Sequence, residues 1–200
     1  PRLQLLPMKQ KLSGSVVRSD LKLSDGRTIS YYDSKDVDRS AVDTRNDEAQ
    51  PGTGHLRLDP LVNEWVAVAS HRQHRIFLPP KELCPLCPST GENLTEVPED
   101  DFEVVVFDNR SPSLRPPIGD WALPDMVGPD TDLGSAAGKC EVICFTAEHG
   151  NAFKDLTPQR VRTLLEAWID RTSELSQEDF IEHIAPFENR GEEIGVTLSH

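Results

Sequence analysis

Two hundred residues are enough for one domain with a buried core, or for such a domain plus an extension. Asp and Glu number 34 against 21 Lys and Arg, so the net charge is −13, which repels polyanions and argues against a nucleic-acid partner. No stretch approaches the roughly 18 consecutive apolar residues of a membrane helix, and the apolar segment 3–8 is too short for a signal peptide. The sequence therefore predicts a soluble, cytoplasmic protein that contacts no membrane. A small anionic substrate remains compatible with the charge, because a local arginine cluster binds one phosphate whatever the global sign.

The first quarter of the sequence predicts an extension rather than part of the compact domain. Asp25 and Gly26 lie between two short alternating segments, which is typical of a hairpin turn. The charged and then Pro/Gly-containing stretch 33–54 is typical of a linker. We therefore divide the chain into an N-terminal extension with hairpin and linker, 1–54, and a compact domain, 55–200.

Strands and one long helix are expected in the compact domain. Three segments are rich in Val, Ile and aromatic residues, the composition of strands: 64–69 (EWVAVA), 103–107 (EVVVF) and 140–146 (CEVICFT). A fourth strand is expected at 182–187, before the turn at Asn189 and Gly191. Strands in series with one helix predict the α+β class with a mainly antiparallel sheet.

The helix is expected to begin at Thr157 and Pro158, a cap residue followed by proline at the first helical position. Apolar residues follow at the spacing of a single helix face. These predicted face residues are Val161, Leu164, Leu165, Trp168 and Ile169.

The four cysteines form two pairs with different expected roles. Cys84 and Cys87 have the two-residue spacing that presents two thiolates to one ion, although a redox pair or two buried thiols would have the same spacing. Cys140 and Cys144 lie roughly 13 Å apart on one strand at about 3.3 Å per residue, too far apart to bind one ion. We therefore expect Cys140 and Cys144 to be core residues.

A metal site at Cys84 and Cys87 would need further ligands, and the six histidines are the candidates. His149 lies just beyond a predicted strand, where a side chain can turn out of the sheet, and His200 is the last residue. From spacing alone either histidine can complete the site.

Seven motifs, taken in order, resemble the galactose-1-phosphate uridylyltransferase family of the histidine-triad superfamily. They are 59–66 (DPLVNEWV), 70–75 (SHRQHR), 84–88 (CPLCP), 107–109 (FDN), 144–149 (CFTAEH), 187–191 (FENRG) and 195–200 (GVTLSH). The resemblance implies a histidine-triad-like sheet and the N-terminal half of a two-repeat enzyme. It also implies that Zn²⁺, a mainly structural ion in the family, is held by Cys84, Cys87, His149 and His200.

The resemblance implies transfer of a uridylyl group between UDP-glucose and galactose 1-phosphate. In the family, the second histidine of a His-Pro-His motif attacks the α-phosphorus and forms a covalent uridylyl-histidine. Here that histidine would lie two residues beyond His200, so we expect residues 1–200 alone to be inactive. The expected partners are the C-terminal half of the enzyme, on the same or a second polypeptide, and a second copy in a homodimer.

Several residues match family positions at the substrate. Arg72 and Arg75 match arginines near the phosphates, although such a basic turn is often simply solvated. Asn109 matches an asparagine at the nucleotide, whereas Arg110 stands where an acidic residue is common. The remaining matches lie in a loop that lines the nucleotide and phosphates: Glu188, Asn189, Gly195, Val196 and Thr197.

Two other functions remain open at this point. One is an enzyme of the same superfamily that acts on a different sugar or nucleotide, such as a related sugar-nucleotide phosphorylase. The other is a zinc-stabilised fragment or binding module without catalytic activity.

Overall fold

The computed structural model describes residues 8–12, 14–47, 54–70, 79–91, 93–117, 132–191, 193, 196 and 198. Within this part, eight strands form two antiparallel sheets and one α-helix, α1 (Pro158–Leu175), packs on the larger sheet. The strands are β1 (Met8–Lys11), β2 (Val17–Lys22), β3 (Thr28–Asp33), β4 (His55–Asp59), β5 (Glu64–Val68), β6 (Val104–Asp108), β7 (Leu133–Ser135) and β8 (Glu141–Cys144). The predicted α+β class is confirmed.

The larger sheet has the strand order β1-β2-β3-β6-β8, and every neighbouring pair is antiparallel. Its strand β6, which lies between β3 and β8, begins Val-Val-Val-Phe, and these four residues are buried because both faces of the sheet are covered. Val105 and Phe107 point to one face, and Val104 and Val106 to the other, as the period of two in a strand requires.

Each face of the large sheet carries its own hydrophobic cluster. On the first face, Tyr31 and Phe102 pack with Val105 and Cys144. On the second face, Leu164 and Ala167 of α1 pack against Tyr32 of β3 and against Val104 and Val106 of β6. Full burial of one such side chain contributes about 1.5–3 kcal/mol, so both clusters matter to the free energy of unfolding.

The hairpin predicted around Asp25 and Gly26 is confirmed, since β2 and β3 pair antiparallel and Gly26 has a φ of 89° in the turn. β3 also pairs with β6, so strands from both sides of residue 54 share one sheet. Residues 34–47 contain no helix or strand, yet the Arg39 side chain in this segment is buried and donates to Asp33. A domain boundary at residue 54 stays a prediction, although it does not coincide with an edge of the sheet.

The smaller sheet has the strand order β5-β4-β7. β4 and β5 are joined by a tight turn in which Asn63 has a φ of 55°, a conformation that asparagine tolerates. β5 confirms the strand predicted at 64–69. Most of β5 is exposed, Trp65 included, so this sheet adds little to the core.

The helix begins where it was predicted, with Thr157 as cap residue accepting a hydrogen bond from the Arg160 N–H at 3.2 Å. The predicted apolar face is partly wrong. Leu164 is buried, whereas Leu165 is 46% and Ile169 is 62% exposed. At 100° per residue these two lie opposite the packed side, and that side holds Thr163, Leu164, Ala167 and Arg171.

Two buried polar residues replace apolar ones on α1 because they find carboxylate partners on the sheet. Thr163 donates to Glu103, and Arg171 donates to both oxygens of Glu141 at 2.8 and 2.9 Å. In the described residues, no helix is both long and apolar enough to cross a bilayer.

The strand predicted at 182–187 is wrong, because residues 181–190 form no ladder in the described part of the chain. A strand needs a neighbouring backbone to satisfy its N–H and C=O groups, and Pro186 also lacks an N–H. Instead, residues 180–186 pass the C-terminal end of α1 and line a cavity of about 520 Å³.

Candidate metal centre and arginine-lined cavity

Cys84 and Cys87 lie in a loop that its own backbone hydrogen bonds close. A single 3₁₀ turn, Lys81–Leu83, ends at Cys84, and Cys84 donates its N–H to the Lys81 carbonyl at 3.2 Å. Glu96 donates its N–H to the Pro85 carbonyl at 2.9 Å, and the Thr95 hydroxyl donates to the Cys87 carbonyl. These bonds fix the loop, so the two thiols keep their relative position.

His149 reaches this loop from the turn that follows β8. The Thr146 hydroxyl accepts the Glu148 N–H at 3.1 Å, and Gly150 has a φ of 83°, so the chain reverses sharply around His149. His149 Nδ1 lies 3.3 Å from the Cys87 sulfur. The turn therefore places the imidazole on the thiol loop, as the sequence predicted it could.

The three candidate ligands fit a metal ion. Their ligand atoms, two sulfurs and one imidazole nitrogen, all lie within 4.8 Å of one another. A tetrahedral Zn²⁺, with Zn–S of about 2.3 Å and Zn–N of about 2.0–2.1 Å, separates two sulfurs by about 3.8 Å and a sulfur from a nitrogen by about 3.6 Å. Soft thiolates and an imidazole are donors that suit zinc. The arrangement in the structure needs only a small adjustment to hold such an ion.

The electrostatics of the thiol loop favour a cation over two free thiolates. Burial first, and then the neighbouring Cys84, raise the pKa of the Cys87 thiol to about 12. Thiolates bind metals and thiols do not, so metal binding must release protons here. A divalent cation offsets both the cost of burial and the repulsion between two thiolates.

The other two cysteines differ from each other. Cys144 is buried in the first hydrophobic cluster, as predicted, and burial raises the pKa of its thiol well above the ordinary range. Cys140 is half-buried, belongs to neither cluster and lines a separate cavity, so the core prediction is wrong for Cys140. Neither cysteine joins the group of metal-ligand atoms found among the described residues.

Five of the twelve predicted site residues lie outside the described part of the chain: Arg72, Arg75, Gly195, Thr197 and His200. Of the others in the C-terminal segment, Glu188 and Asn189 are exposed and Val196 is half-buried. Gly191 has a φ of 94°, which supports a turn at 189–191. Glu188 and Asn189 line neither the cavity beside α1 nor the cavity beside Asn109.

Asn109 lies at the end of β6 on the wall of a cavity of about 350 Å³. Its N–H donates to the Cys140 carbonyl at 2.9 Å, and its side-chain oxygen accepts the Ser111 N–H at 2.9 Å. We call this the arginine-lined cavity, because four cationic residues share its wall with Asn109: Arg27, Arg110, Arg115 and Lys139.

A network of buried ion pairs supports one side of this cavity. We call it the Glu96 network, and its members are Asp25, Arg27, Asp43, Arg45, Asp47, Glu96 and Arg110. The Glu96 carboxylate accepts from Arg27 at 2.5 Å and from Arg45 at 2.8 Å, and its oxygen lies 3.5 Å from Arg110. Arg110 also donates to Asp47 at 2.9 Å. The network thus ties the Asn109–Arg110 turn to residues 25–47.

Sequence reasoning missed the Glu96 network and three cavity residues, Arg27, Arg115 and Lys139. The available signal was the alternation Asp25-x-Arg27 and Asp43-x-Arg45-x-Asp47, in which each arginine bonds an acidic residue two positions away. Nothing in that spacing points to Glu96 as the shared partner. Three members of the network, Asp43, Arg45 and Asp47, lie in the segment that was predicted to be a linker.

Known proteins resemble this chain in both sequence and structure. Residues 42–200 match the family described as galactose-1-phosphate uridyl transferase, N-terminal domain. A galactose-1-phosphate uridylyltransferase from Streptomyces lividans is 41% identical over 184 residues, which cover 92% of this chain and 46% of the relative. The enzyme of that name from Thermotoga maritima is 40% identical over 147 residues, covering 72% of this chain and 43% of the relative.

A solved structure described as a uridylyltransferase superposes with a TM-score of 0.53 at 25% identity, covering 73% of this chain and 44% of that one. The chain spans less than half the length of these curated relatives and of this structure. The match over 42–200 includes both cysteines and the histidine of the candidate metal centre. The chain therefore belongs to the galactose-1-phosphate uridyl transferase family, of which it carries the N-terminal domain.

Proposed function

We propose that this chain is the N-terminal, metal-bearing part of a UDP-glucose:hexose-1-phosphate uridylyltransferase of galactose metabolism. The observation that carries the proposal is the convergence of Cys84, Cys87 and His149 within a segment that matches the family throughout. These are three of the residues at which the sequence resemblance implies metal ligands.

The metal in this proposal is Zn²⁺, with His200 as the fourth ligand beside Cys84, Cys87 and His149. A bound ion would supply structural stability by fixing the thiol loop to the turn after β8 and to the segment that ends at His200. Four protein ligands leave no open position, which is typical of structural rather than catalytic zinc.

The proposed reaction has two displacements at the α-phosphorus of UDP-glucose. First, a histidine nitrogen two residues beyond His200 attacks phosphorus, the bond to the bridging oxygen breaks, and glucose 1-phosphate leaves with that electron pair. Next, a phosphate oxygen of galactose 1-phosphate attacks, the P–N bond breaks and UDP-galactose forms. Residues 1–200 do not contain this histidine, so on this proposal they transfer no uridylyl group alone.

The chain's own residues would bind and orient the substrates. Arg72 and Arg75 would hold phosphate oxygens, because a guanidinium fork pairs with them in a bidentate way. Asn109 would contact the nucleotide from the arginine-lined cavity. The loop toward the chain end would complete the site through Glu188, Asn189, Gly195, Val196 and Thr197. A C-terminal half and a second copy of the chain are the proposed protein partners.

The test is product formation by this chain joined to, or mixed with, the C-terminal half of the enzyme. We expect UDP-galactose from UDP-glucose and galactose 1-phosphate. Phosphorolysis of an ADP-sugar without UDP-galactose would replace the proposal with a nucleotidyl phosphorylase. No turnover of either substrate by a folded, metal-loaded protein would leave a non-catalytic binding module.

The same assay tests the arginines. Arg72→Ala and Arg75→Ala should lower kcat/KM for UDP-glucose by about 10² to 10³, because each removes a preorganised donor to shifting phosphate charge. Arg162→Ala, a change on the exposed surface of α1, is the matched control and should leave kcat/KM unchanged. Unaltered kinetics in both site variants would indicate that residues 70–75 are a solvated turn that does not contact the substrate.

A further inference from the structure

Arg115 differs from the other cations of the arginine-lined cavity in having no carboxylate partner among the described residues. Arg27 pairs with Asp25 at 2.6 Å, and Lys139 pairs with Glu141 at 3.3 Å. Arg110 pairs with Asp47, as described above. Among the residues that the structure describes, Arg115 forms no ion pair, and its Nε is buried without a hydrogen-bond partner.

The position of Arg115 is fixed by its backbone. Its N–H donates to the Ala136 carbonyl at 3.1 Å, and its carbonyl accepts the Gly138 N–H at 2.9 Å. Gly138 also lets the two segments approach, since a Cβ there would lie 2.9 Å from the Leu114 side chain. The Arg115 side chain therefore starts from an anchored backbone, which lowers the entropy lost when it binds a ligand.

The charges around the cavity also distinguish Arg115 from the other cations. The carboxylates of Asp25, Asp47 and Glu141 offset the charges of the paired cations, so those cations have little to offer an anion. The Arg115 guanidinium is not offset by any carboxylate of the described chain. A buried donor without a partner carries an uncompensated desolvation cost, which an acceptor on a ligand would remove.

We propose that Arg115 is a further ligand-binding residue, whose guanidinium contacts a phosphate group of the nucleotide next to Asn109 in the arginine-lined cavity. This inference rests on the proposed function, because that function supplies a phosphorylated uridine ligand. A guanidinium fork matches phosphate oxygens, and a volume of about 350 Å³ is in the range of small-molecule sites.

The test compares two ligands that differ only in the phosphate, UMP and uridine, by calorimetric titration of the full 200-residue chain. In Arg115→Gln we expect UMP affinity to fall about tenfold to a hundredfold, the usual effect of losing a charged hydrogen bond. Uridine affinity should change by less than about twofold. Arg162→Gln removes the same charge from the exposed surface of α1 and should leave both affinities unchanged.

Circular dichroism and a thermal midpoint would reveal whether Arg115→Gln is unfolded. Arg115→Lys is the second variant, which keeps the test valid in that case. Lysine keeps the charge but not the fork, so it should recover only part of the UMP affinity. Inorganic phosphate should compete with UMP in the wild-type chain and less well in Arg115→Lys.

Three results would overturn the inference: equal UMP affinity in Arg115→Gln and Arg162→Gln, equal wild-type affinity for UMP and uridine, or full UMP affinity in Arg115→Lys. Absence of binding by the folded wild-type chain would overturn it as well. The proposed function is judged separately, by UDP-galactose formation in the reassembled protein. Transfer activity together with any of these results would refute the role of Arg115 and leave the proposed function standing.

Discussion

The candidate metal centre and the arginine-lined cavity are built in opposite ways. The metal centre uses two cysteines three positions apart and a single histidine, held by a closed loop and one turn. The cavity is supported by arginines and carboxylates from residues 25–47, 96 and 110, which meet only in the folded chain. The comparison teaches that a metal loop leaves a short sequence pattern, whereas an ion-pair network does not.

Glu96 belongs to both regions. Its N–H donates to the Pro85 carbonyl inside the thiol loop, and its carboxylate accepts from Arg27 and Arg45 in the network. The backbone contact does not depend on the identity of the side chain, while the ion pairs do. Substitutions can therefore perturb one region and spare the other, and the following predictions use that separation.

The largest expected effect is on the metal centre. Cys84→Ser should weaken metal affinity by at least about a hundredfold, because it removes a ligand rather than an outer contact, and outer contacts alone are worth about 10- to 100-fold. Metal content by mass spectrometry and a competitive chelator titration measure this effect. Cys140→Ala, at a half-buried cysteine outside the ligand group, is the control and should keep full metal content. Equal metal content in Cys84→Ser and the parent chain would contradict the proposed metal centre.

Next in size is the effect of breaking the Glu96 network. Glu96→Gln should lower the free energy of unfolding by about 2–3 kcal/mol, because it removes the charged acceptor that Arg27 and Arg45 share, although each arginine keeps another carboxylate partner. Glu178→Gln, an exposed substitution after α1, should change it by less than about 0.5 kcal/mol. Urea denaturation of the metal-loaded chain measures both values. Metal content should not change in Glu96→Gln, and a loss of metal would show that the two regions are not separable.

The smallest expected effect is a pH dependence that belongs to the network. Burial opposes ionisation of Asp43, but the hydrogen bond from Arg45 and further backbone bonds outweigh it and lower the pKa of Asp43 from 3.8 to about 2. A depressed pKa in the folded state stabilises the protein above the unfolded pKa, and this stability is lost as pH falls from about 5 to about 2. The shift corresponds to about 2 kcal/mol.

Asp43→Asn should flatten this part of the pH profile of unfolding free energy. Val42→Ala, at an exposed neighbour that carries no titratable group, should leave the shape of the profile unchanged. Parallel profiles for Asp43→Asn and the parent chain between pH 5 and pH 2 would contradict the assigned shift.

Local signals in the sequence were enough to name candidate metal ligands and to predict the start of α1 and three strands of the compact domain. The Cys84 and Cys87 spacing, the cap at Thr157 and the Val-rich run in β6 each depend on neighbours a few residues away. His149 could be named as a candidate because it follows a strand, but the assignment of both His149 and His200 as ligands needed the family resemblance.

The failures of sequence reasoning share a physical cause, which is dependence on distant partners. Residues 182–187 have strand composition but no ladder in the described chain, and Leu165 and Ile169 are apolar but face away from the sheet. Charged residues 33–47 suggested a linker because their partners, Glu96 and Arg110, lie far along the chain.

The most direct test of the proposed function is covalent labelling. The chain joined to, or mixed with, its C-terminal half would be incubated with UDP-glucose radiolabelled at the α-phosphate, and the labelled peptide identified. We predict one acid-labile label per site, on the histidine two residues beyond His200, and no label on residues 1–200 alone. Stoichiometric labelling of the isolated chain, or turnover to UDP-galactose without any labelled histidine, would contradict the proposed double displacement.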